Sequence, residues 1–211
     1  MYFPDLLKHP QFYNLKSTLL SCGRRSVRAY LRQTIAVPPD ARVLEVGCGA
    51  GRHAGTFSAR YVGVDLSWAY LSYAAAHRPG RFARMDATCL GFPDGKFEFV
   101  FCVGLCHHLP DAAVAAAMAE MKRVIRPGGN VCVVDAVVPA SPNVPGRVLC
   151  ALDRGEHLRP LERLAALLRA QGLRLHCANI PGSFPYQRAV FLGAWGWRVE
   201  KHPGPRAALT A

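Results

Sequence analysis

Apolar residues along this 211-residue chain follow two alternating periods. Short continuous apolar runs, bounded by glycine, proline or an acid, predict buried strands. They cover residues 42–46, 61–64, 97–104, 130–137, 173–178 and 187–192, with a further strand closed by Arg84-Met85-Asp86-Ala87. Segments with apolar residues three or four apart predict helices between them, at about 52–59, 67–77 and 111–125. Ser67 and Asp111 stand at N-cap positions, and Val114, Met118, Met121 and Ile125 form one stripe. A short helix is expected near 147–152, and another starts at Pro160, faces inward through Leu161, Leu164 and Leu168, and stops at Gly172. Ahead of the first strand, two helices at about 5–20 and 24–35 end at Val37-Pro38-Pro39. Alternating strands and helices predict an α/β domain, with a parallel sheet wound on both faces by right-handed crossovers.

The length fits one such domain, and 51% hydrophobic with 19% charged residues excludes a disordered chain. No apolar run reaches the ~18 residues that span a bilayer, and the first residues lack the pattern of a signal peptide. Eight cysteines form no C-x-x-C pair, and Cys48, Cys102 and Cys132 fall in or beside buried strands. The thiols therefore read as reduced and the protein as cytoplasmic. The net charge of +12 is uneven. Residues 43–146 carry nine basic and eight acidic side chains, whereas residues 1–42 carry seven and two, and residues 147–211 ten and four. Basic flanks of this kind fit a solvated surface, an anion site or a nucleic-acid surface.

Chemistry concentrates where the strands end. After the first strand, Gly47, Gly49 and Gly51 remove Cβ atoms from a sharp turn and allow a ligand close approach. Arg52 stands where a nicotinamide-binding fingerprint has its third glycine. Glu45 lies inside the apolar run, where an unpaired carboxylate would be costly, so it must face a partner. Asp65 ends the second strand twenty residues later, at the distance from which an acid reaches ribose hydroxyls. The fourth strand leads into Leu105-Cys106-His107-His108-Leu109. Histidine suits general-base work near neutral pH, and His108 is the preferred candidate with His107 second. A role in holding the loop by hydrogen bonds fits both residues equally. Cys102, Cys106, His107 and His108 lack metal-ligand spacing, so no metal site is expected.

The ordered set E-V-G-C-G-x-G, V-G-V-D-L-S, D-A-x-x-L-x-F-P-D, L-x-H-H-L and I-R-P-G-G, from Arg42 to about Val137, resembles the class I S-adenosylmethionine-dependent methyltransferases. Within them it is similar to the small-molecule branch that includes quinone-biosynthesis enzymes. The resemblance implies a Rossmann-like fold with seven strands, the last antiparallel, and S-adenosylmethionine as cofactor with S-adenosylhomocysteine as product. By the same resemblance, Glu45, Gly47, Cys48, Gly49 and Gly51 pass the methionine portion, and Asp65 accepts from both ribose hydroxyls. Leu66 packs on the adenine, Asp86 and Ala87 address its amino edge, and Val103 and Gly104 leave space beside the sulfonium.

The acceptor then binds outside this core. The expected organisation is a helical arm at 1–41 acting as substrate cap, a cofactor domain at 42–194 with a substrate loop at 139–160, and a peripheral tail at 195–211. Tyr13, Arg154, His157 and Arg159 are the acceptor-binding candidates, the arginines as anion ligands, although Asp153-Arg154 also fits a local ion pair. A small molecule, possibly anionic, methylated on oxygen is the main reading, with carbon and nitrogen acceptors open. RNA methylation is the second: the basic flanks suggest it, and Val103-Gly104-Leu105-Cys106 lacks the N/D-P-P-Y/F box of amino-group nucleic-acid enzymes. A cofactor-binding partner subunit without turnover is the third. The sequence does not fix the oligomeric state.

Overall fold

Strand β1 (Arg42–Val46) is buried at every residue after Arg42, because helices cover both faces of the sheet it centres. In the computed structural model, which describes residues 27–57, 60–139, 143–151, 156–180 and 187–194, the remaining elements follow in alternation. Helix α1 (Val27–Thr34) precedes β1; β2 (Arg60–Asp65), α2 (Trp68–His77) and β3 (Arg81–Arg84) follow it. Then come β4 (Phe97–Val103), α3 (Asp111–Val124), β5 (Ile125–Val137), α4 (Val144–Ala151), α5 (Leu161–Ala170), β6 (Arg174–Asn179) and β7 (Gln187–Ala194). The seven strands are ordered β3-β2-β1-β4-β5-β7-β6. Strands β1 to β5 pair in parallel, and β7 is antiparallel to both β5 and β6. Strand order reverses between β1 and β4, which opens a crevice at their carboxyl ends.

Alternate strand residues feed two cores. Leu44, Val46, Val100, Cys102, Val131 and Val133 pack with Val114, Met118 and Met121 of α3 and with Leu164 and Leu168 of α5. Val43, Phe99, Phe101, Cys132 and Val134 pack on the other face with Leu31 of α1. Burying a side chain of this size contributes about 1.5–3 kcal/mol, so the cores hold the strand ends in fixed register. At the amino ends of the strands, Arg42 and Glu98 tie β1 to β4 through a 2.7 Å ion pair. The guanidinium and backbone N–H of Arg42 hold the Glu98 carboxyl down at about 2.

Four local expectations are corrected. Residues 51–57 form successive turns, not a helix, because Gly51 and Gly55 take φ of 68° and 71°, outside helical geometry. Ser67 caps α2, accepting from the Tyr70 amide, but Pro110 is the N-cap of α3. Asp111 lies in the first turn, where its carboxylate is drawn to Arg159 and Arg163. Strand β3 stops at Arg84, short of Asp86. Strand β5 starts at Ile125, with a bulge between the Phe97–Ile125 and Phe99–Asn130 pairs that accommodates Pro127-Gly128-Gly129.

Candidate active site

The glycine-rich turn hangs from the end of β2. The amides of Gly47 and Cys48 both donate to the Val64 carbonyl, at 2.8 and 2.9 Å. Gly47, Gly49 and Gly51 have φ of 72°, 52° and 68°, which side-chain-bearing residues rarely adopt. A Cβ on Gly47 would stand 2.9 Å from Leu105 Cδ1, so the turns after β1 and β4 touch across the crevice. Gly51 serves packing instead, since a Cβ there would meet Ala74, Arg78 and Phe82 at 3.0–3.1 Å. Cys48 is buried, and desolvation, with Glu45 and Asp65 nearby, pushes its thiol well above the usual range. It contributes an amide and bulk, not a nucleophile.

Asp65 stitches the turn to β2. One carboxylate oxygen accepts from the Gly49 amide and the other from the Ser67 amide, each at 2.8 Å. A carboxylate has about four lone-pair positions, so two accepting sites remain for a ligand. Leu66 follows, 56% exposed, a large apolar side chain turned to solvent beside the crevice. Asp86 accepts from the amide and hydroxyl of Thr88, which lowers its pKa, and Ala87 packs against the core. Val103 and Gly104 end β4, and the Gly104 amide donates 2.8 Å to Val134.

Glu45 has the partners that its place in a buried strand demanded. One carboxylate oxygen lies 2.8 Å from His53 Nδ1, and the other accepts from the Tyr61 hydroxyl. Burial, followed by the Glu45 charge, pushes the Tyr61 phenol upward, so it stays a donor. Tyr61 reaches Glu45 across Gly63, where a Cβ would come within 2.9 Å of the hydroxyl. Glu45 therefore anchors the turn to β2.

The clearest acid–base arrangement lies after β4. His107 is buried, and its Nδ1 stands 2.5 Å from Oδ1 of Asp135, which is itself buried near the end of β5. Asp135 Oδ2 accepts from the Cys106 amide at 2.6 Å, and Oδ1 also accepts from the Ala136 amide at 2.7 Å. Gly104 faces this imidazole: a Cβ there would meet His107 Cε1 at 3.4 Å. His108 is exposed, with its ring centroid 4.0 Å from that of His107. The aspartate contacts His107, the second candidate of the sequence. Asp135, His53 and Tyr61 were missed by sequence reasoning. An acid inside the apolar run of β5 is the same signal that Glu45 gave.

The acceptor candidates divide. Tyr13 and Arg154 lie outside the described residues. The His157 amide donates 3.0 Å to the His107 carbonyl, which brings His157 beside the histidine turn. Arg159 is buried and spends its guanidinium on the protein. Its Nε and Nη2 reach Asp111, Nη2 also reaches the Leu109 carbonyl, and Nη1 reaches the carbonyls of Cys106 and His157, at 2.6–2.8 Å. All five N–H donors are thus engaged, so Arg159 holds the turn that carries His107 and does not act as the expected anion ligand. A separate cavity of about 210 Å³ lies at the amino ends of β1 and β4, away from these groups. Among the described residues, no helix is long and apolar enough to cross a membrane.

A nucleoside-bearing cofactor needs a hydroxyl acceptor, a backbone stripped of Cβ atoms and an apolar surface for its base. Asp65, the glycine-rich turn and exposed Leu66 supply these together. Residues 43–129 match the family described as a methyltransferase domain. The chain is 37% identical over 107 residues to a 2-methyl-6-phytyl-1,4-hydroquinone methyltransferase of Synechocystis sp., covering 47% of this chain and 33% of that protein. It is 30% identical to a phosphoethanolamine N-methyltransferase of Triticum aestivum, covering 64% and 28%. A demethylmenaquinone methyltransferase of Mycolicibacterium gilvum is 32% identical, with 61% and 57% covered. The chain thus spans about a third of the first two relatives' length. In fold, it is similar to the YcgJ protein from Bacillus subtilis, with a TM-score of 0.64 at 20% identity over 81% of this chain and 98% of that one. The Haemonchus contortus phosphoethanolamine N-methyltransferase 2 bound to S-adenosyl-L-methionine gives 0.69 at 16% identity, over 93% and 60%. Residues 43–129 thus carry the match to a methyltransferase domain, inside a fold that the chain shares with a structure bound to S-adenosyl-L-methionine.

Proposed function

We propose that this protein methylates a hydroxyl oxygen of a small-molecule acceptor, with His107 as general base and Asp135 as its positioning residue. The observation that carries the reading is the buried His107–Asp135 pair beside Gly104, at the carboxyl ends of β4 and β5. Relatives named for a phytyl hydroquinone, demethylmenaquinone and phosphoethanolamine support a small molecule as acceptor. Asp65 would hold the ribose of S-adenosylmethionine, the 47–51 turn its methionine portion, and Leu66, Asp86 and Ala87 its adenine. The bound cofactor supplies a methyl group already activated on a sulfonium.

The residues of the chain then have to orient the acceptor and receive its proton. With Nδ1–H donating to Asp135, the imidazole carries its lone pair on Nε2. That nitrogen takes the hydroxyl proton as the oxygen–carbon bond forms, and Asp135 stabilises the resulting imidazolium. An amine arriving as its free base would need no such pair, which favours oxygen over nitrogen. The His157 segment, tied to the His107 carbonyl, closes the site on the acceptor side.

The test is transfer of a labelled methyl from S-adenosylmethionine to small-molecule extracts and, in parallel, to fractionated RNA. Label confined to the small-molecule fraction is expected; sequence-selective RNA labelling at physiological salt would overturn the reading. Cofactor binding has its own check. Asp65→Ala removes an ionised acceptor of two hydroxyls, about 1.5–3 kcal/mol or roughly 10–100-fold in affinity. Calorimetry with S-adenosylhomocysteine measures this, and unchanged affinity in a folded variant would take Asp65 out of the site.

A further inference from the structure

Three arginines converge on the outer side of the 51–57 turns. Arg28 and Arg32, one helical turn apart on α1, both donate to the Gly55 carbonyl, at 2.8 and 3.0 Å. Arg32 Nε also donates 2.8 Å to the Thr56 carbonyl. Arg78, just past α2, lies against Gly51, and its neighbour Pro79 lies against Gly55. Arg32 and Arg78 are close enough to depress the Arg28 pKa, after burial as the first cause. Among the described residues, no carboxylate pairs with any of the three. Like charges gathered without a counter-charge repel, and the carbonyls of Gly55 and Thr56 accept hydrogen bonds without neutralising that charge.

A second observation points the same way. Among the described residues, the buried side-chain polar atoms that lack a hydrogen-bond partner are Arg28 Nε, Thr56 Oγ1 and Arg78 Nε, all on residues of this cluster. Thr56 is only 3% exposed. Buried polar groups are almost always satisfied, so orphans gathered at one point mark a missing partner. That partner must accept from guanidinium N–H groups and from a hydroxyl, carry negative charge, and fit between a helix and a turn. A tetrahedral oxyanion meets each requirement, since arginine forks match phosphate oxygens.

We propose that Arg28, Arg32, Arg78 and Thr56 form a binding site for a phosphate-type oxyanion, separate from the methyl-transfer site. Helix α2 starts at the carboxyl end of β2 and returns to the amino end of β3, so Arg78 lies at the end of the sheet away from Asp65. Its ligand is therefore not the acceptor held near His107. The site backs the same turn segment that Glu45 anchors through His53, so an anion there would fix the far side of the glycine-rich turn.

Inorganic phosphate is the probe, with sodium chloride at matched ionic strength as control, read by isothermal calorimetry and by the thermal midpoint. Wild-type protein is expected to bind phosphate saturably and gain a rise in midpoint that chloride does not give. The double variant Arg28→Gln with Arg78→Gln keeps the side-chain stems and should bind at least ~10-fold more weakly. Thr56→Val separates a ligand role from a structural one. Its hydroxyl has no internal partner, so without phosphate the variant should melt like wild type, yet bind phosphate more weakly. Circular dichroism confirms that each variant is folded. Equal responses to phosphate and chloride, or wild-type phosphate binding by the folded double variant, would overturn the site. Tight binding of a single-stranded RNA oligonucleotide with no response to inorganic phosphate would also overturn it, and would assign the arginines to a polymer.

Discussion

Replacing His107 with alanine is expected to lower turnover by about 10²–10⁴-fold while leaving affinity for S-adenosylhomocysteine near the wild-type value. Loss of the base removes proton transfer, whereas Asp65 and the glycine-rich turn remain intact. Asp135→Asn should also lose most of the rate, because an amide can turn its NH2 towards Nδ1 and so favour the opposite tautomer. The folded Asp135 variant would still bind cofactor, since its contacts are to His107, Cys106 and Ala136. His108→Ala, at an exposed position, should keep most of the activity. The pH profile fixes the sign. A protonated imidazole cannot accept the hydroxyl proton, so the rate should fall as falling pH protonates His107. In His107→Ala that limb should disappear. Near-normal turnover in His107→Ala, with collapse in His108→Ala, would move the base to His108.

How far the sequence carried these assignments depended on whether a signal was local. Buried parallel strands read as apolar runs, so β1, β2 and β4 were legible, as were Asp65 and the positive-φ glycines at 47, 49 and 51. Ser67 capped its helix as its side chain required. The helix expected at 52–59 failed because Gly55 adopts a left-handed conformation, which periodicity does not register. The histidine pair was visible, but the carboxylate partner of His107 was not. Only the pairing of β4 with β5 brings Asp135 to His107, twenty-eight residues apart in sequence. Arg159 misled for the same reason. In the sequence Asp153-Arg154-Gly155-Glu156-His157-Leu158-Arg159 it looks like one more charge on a polar loop. The structure draws it inward because the Arg159 backbone bridges to Val137 at the end of β5, and its side chain meets the open carbonyls of the 106–109 turn. The clustering of Arg28, Arg32 and Arg78 is likewise tertiary, since α1 and the end of α2 both lie against the 51–57 turns.

Arg159→Ala should destabilise the protein and slow it together, which an anion ligand would not do. Removing the guanidinium leaves the carbonyls of Cys106, Leu109 and His157 without their donor. An orphaned buried polar group costs about 1–3 kcal/mol, and water entering the vacated space recovers part of that, so roughly 2–4 kcal/mol in total is expected. The partly exposed Asp111 pair adds nothing to this figure, because Asp111 keeps Arg163 and solvent. For a chain of this length, 1 kcal/mol shifts the melting midpoint by about 2–4 °C, so a fall of roughly 4–16 °C is expected by calorimetry. The turn that loosens is the one that presents His107 to Asp135, so kcat should fall as well. Arg159→Lys offers three donors from one point in place of a planar fork, and should land between the two. If Arg159 instead held a substrate anion, Arg159→Ala would raise KM at an unchanged melting midpoint. That result would require the guanidinium to leave all four of its protein partners in solution.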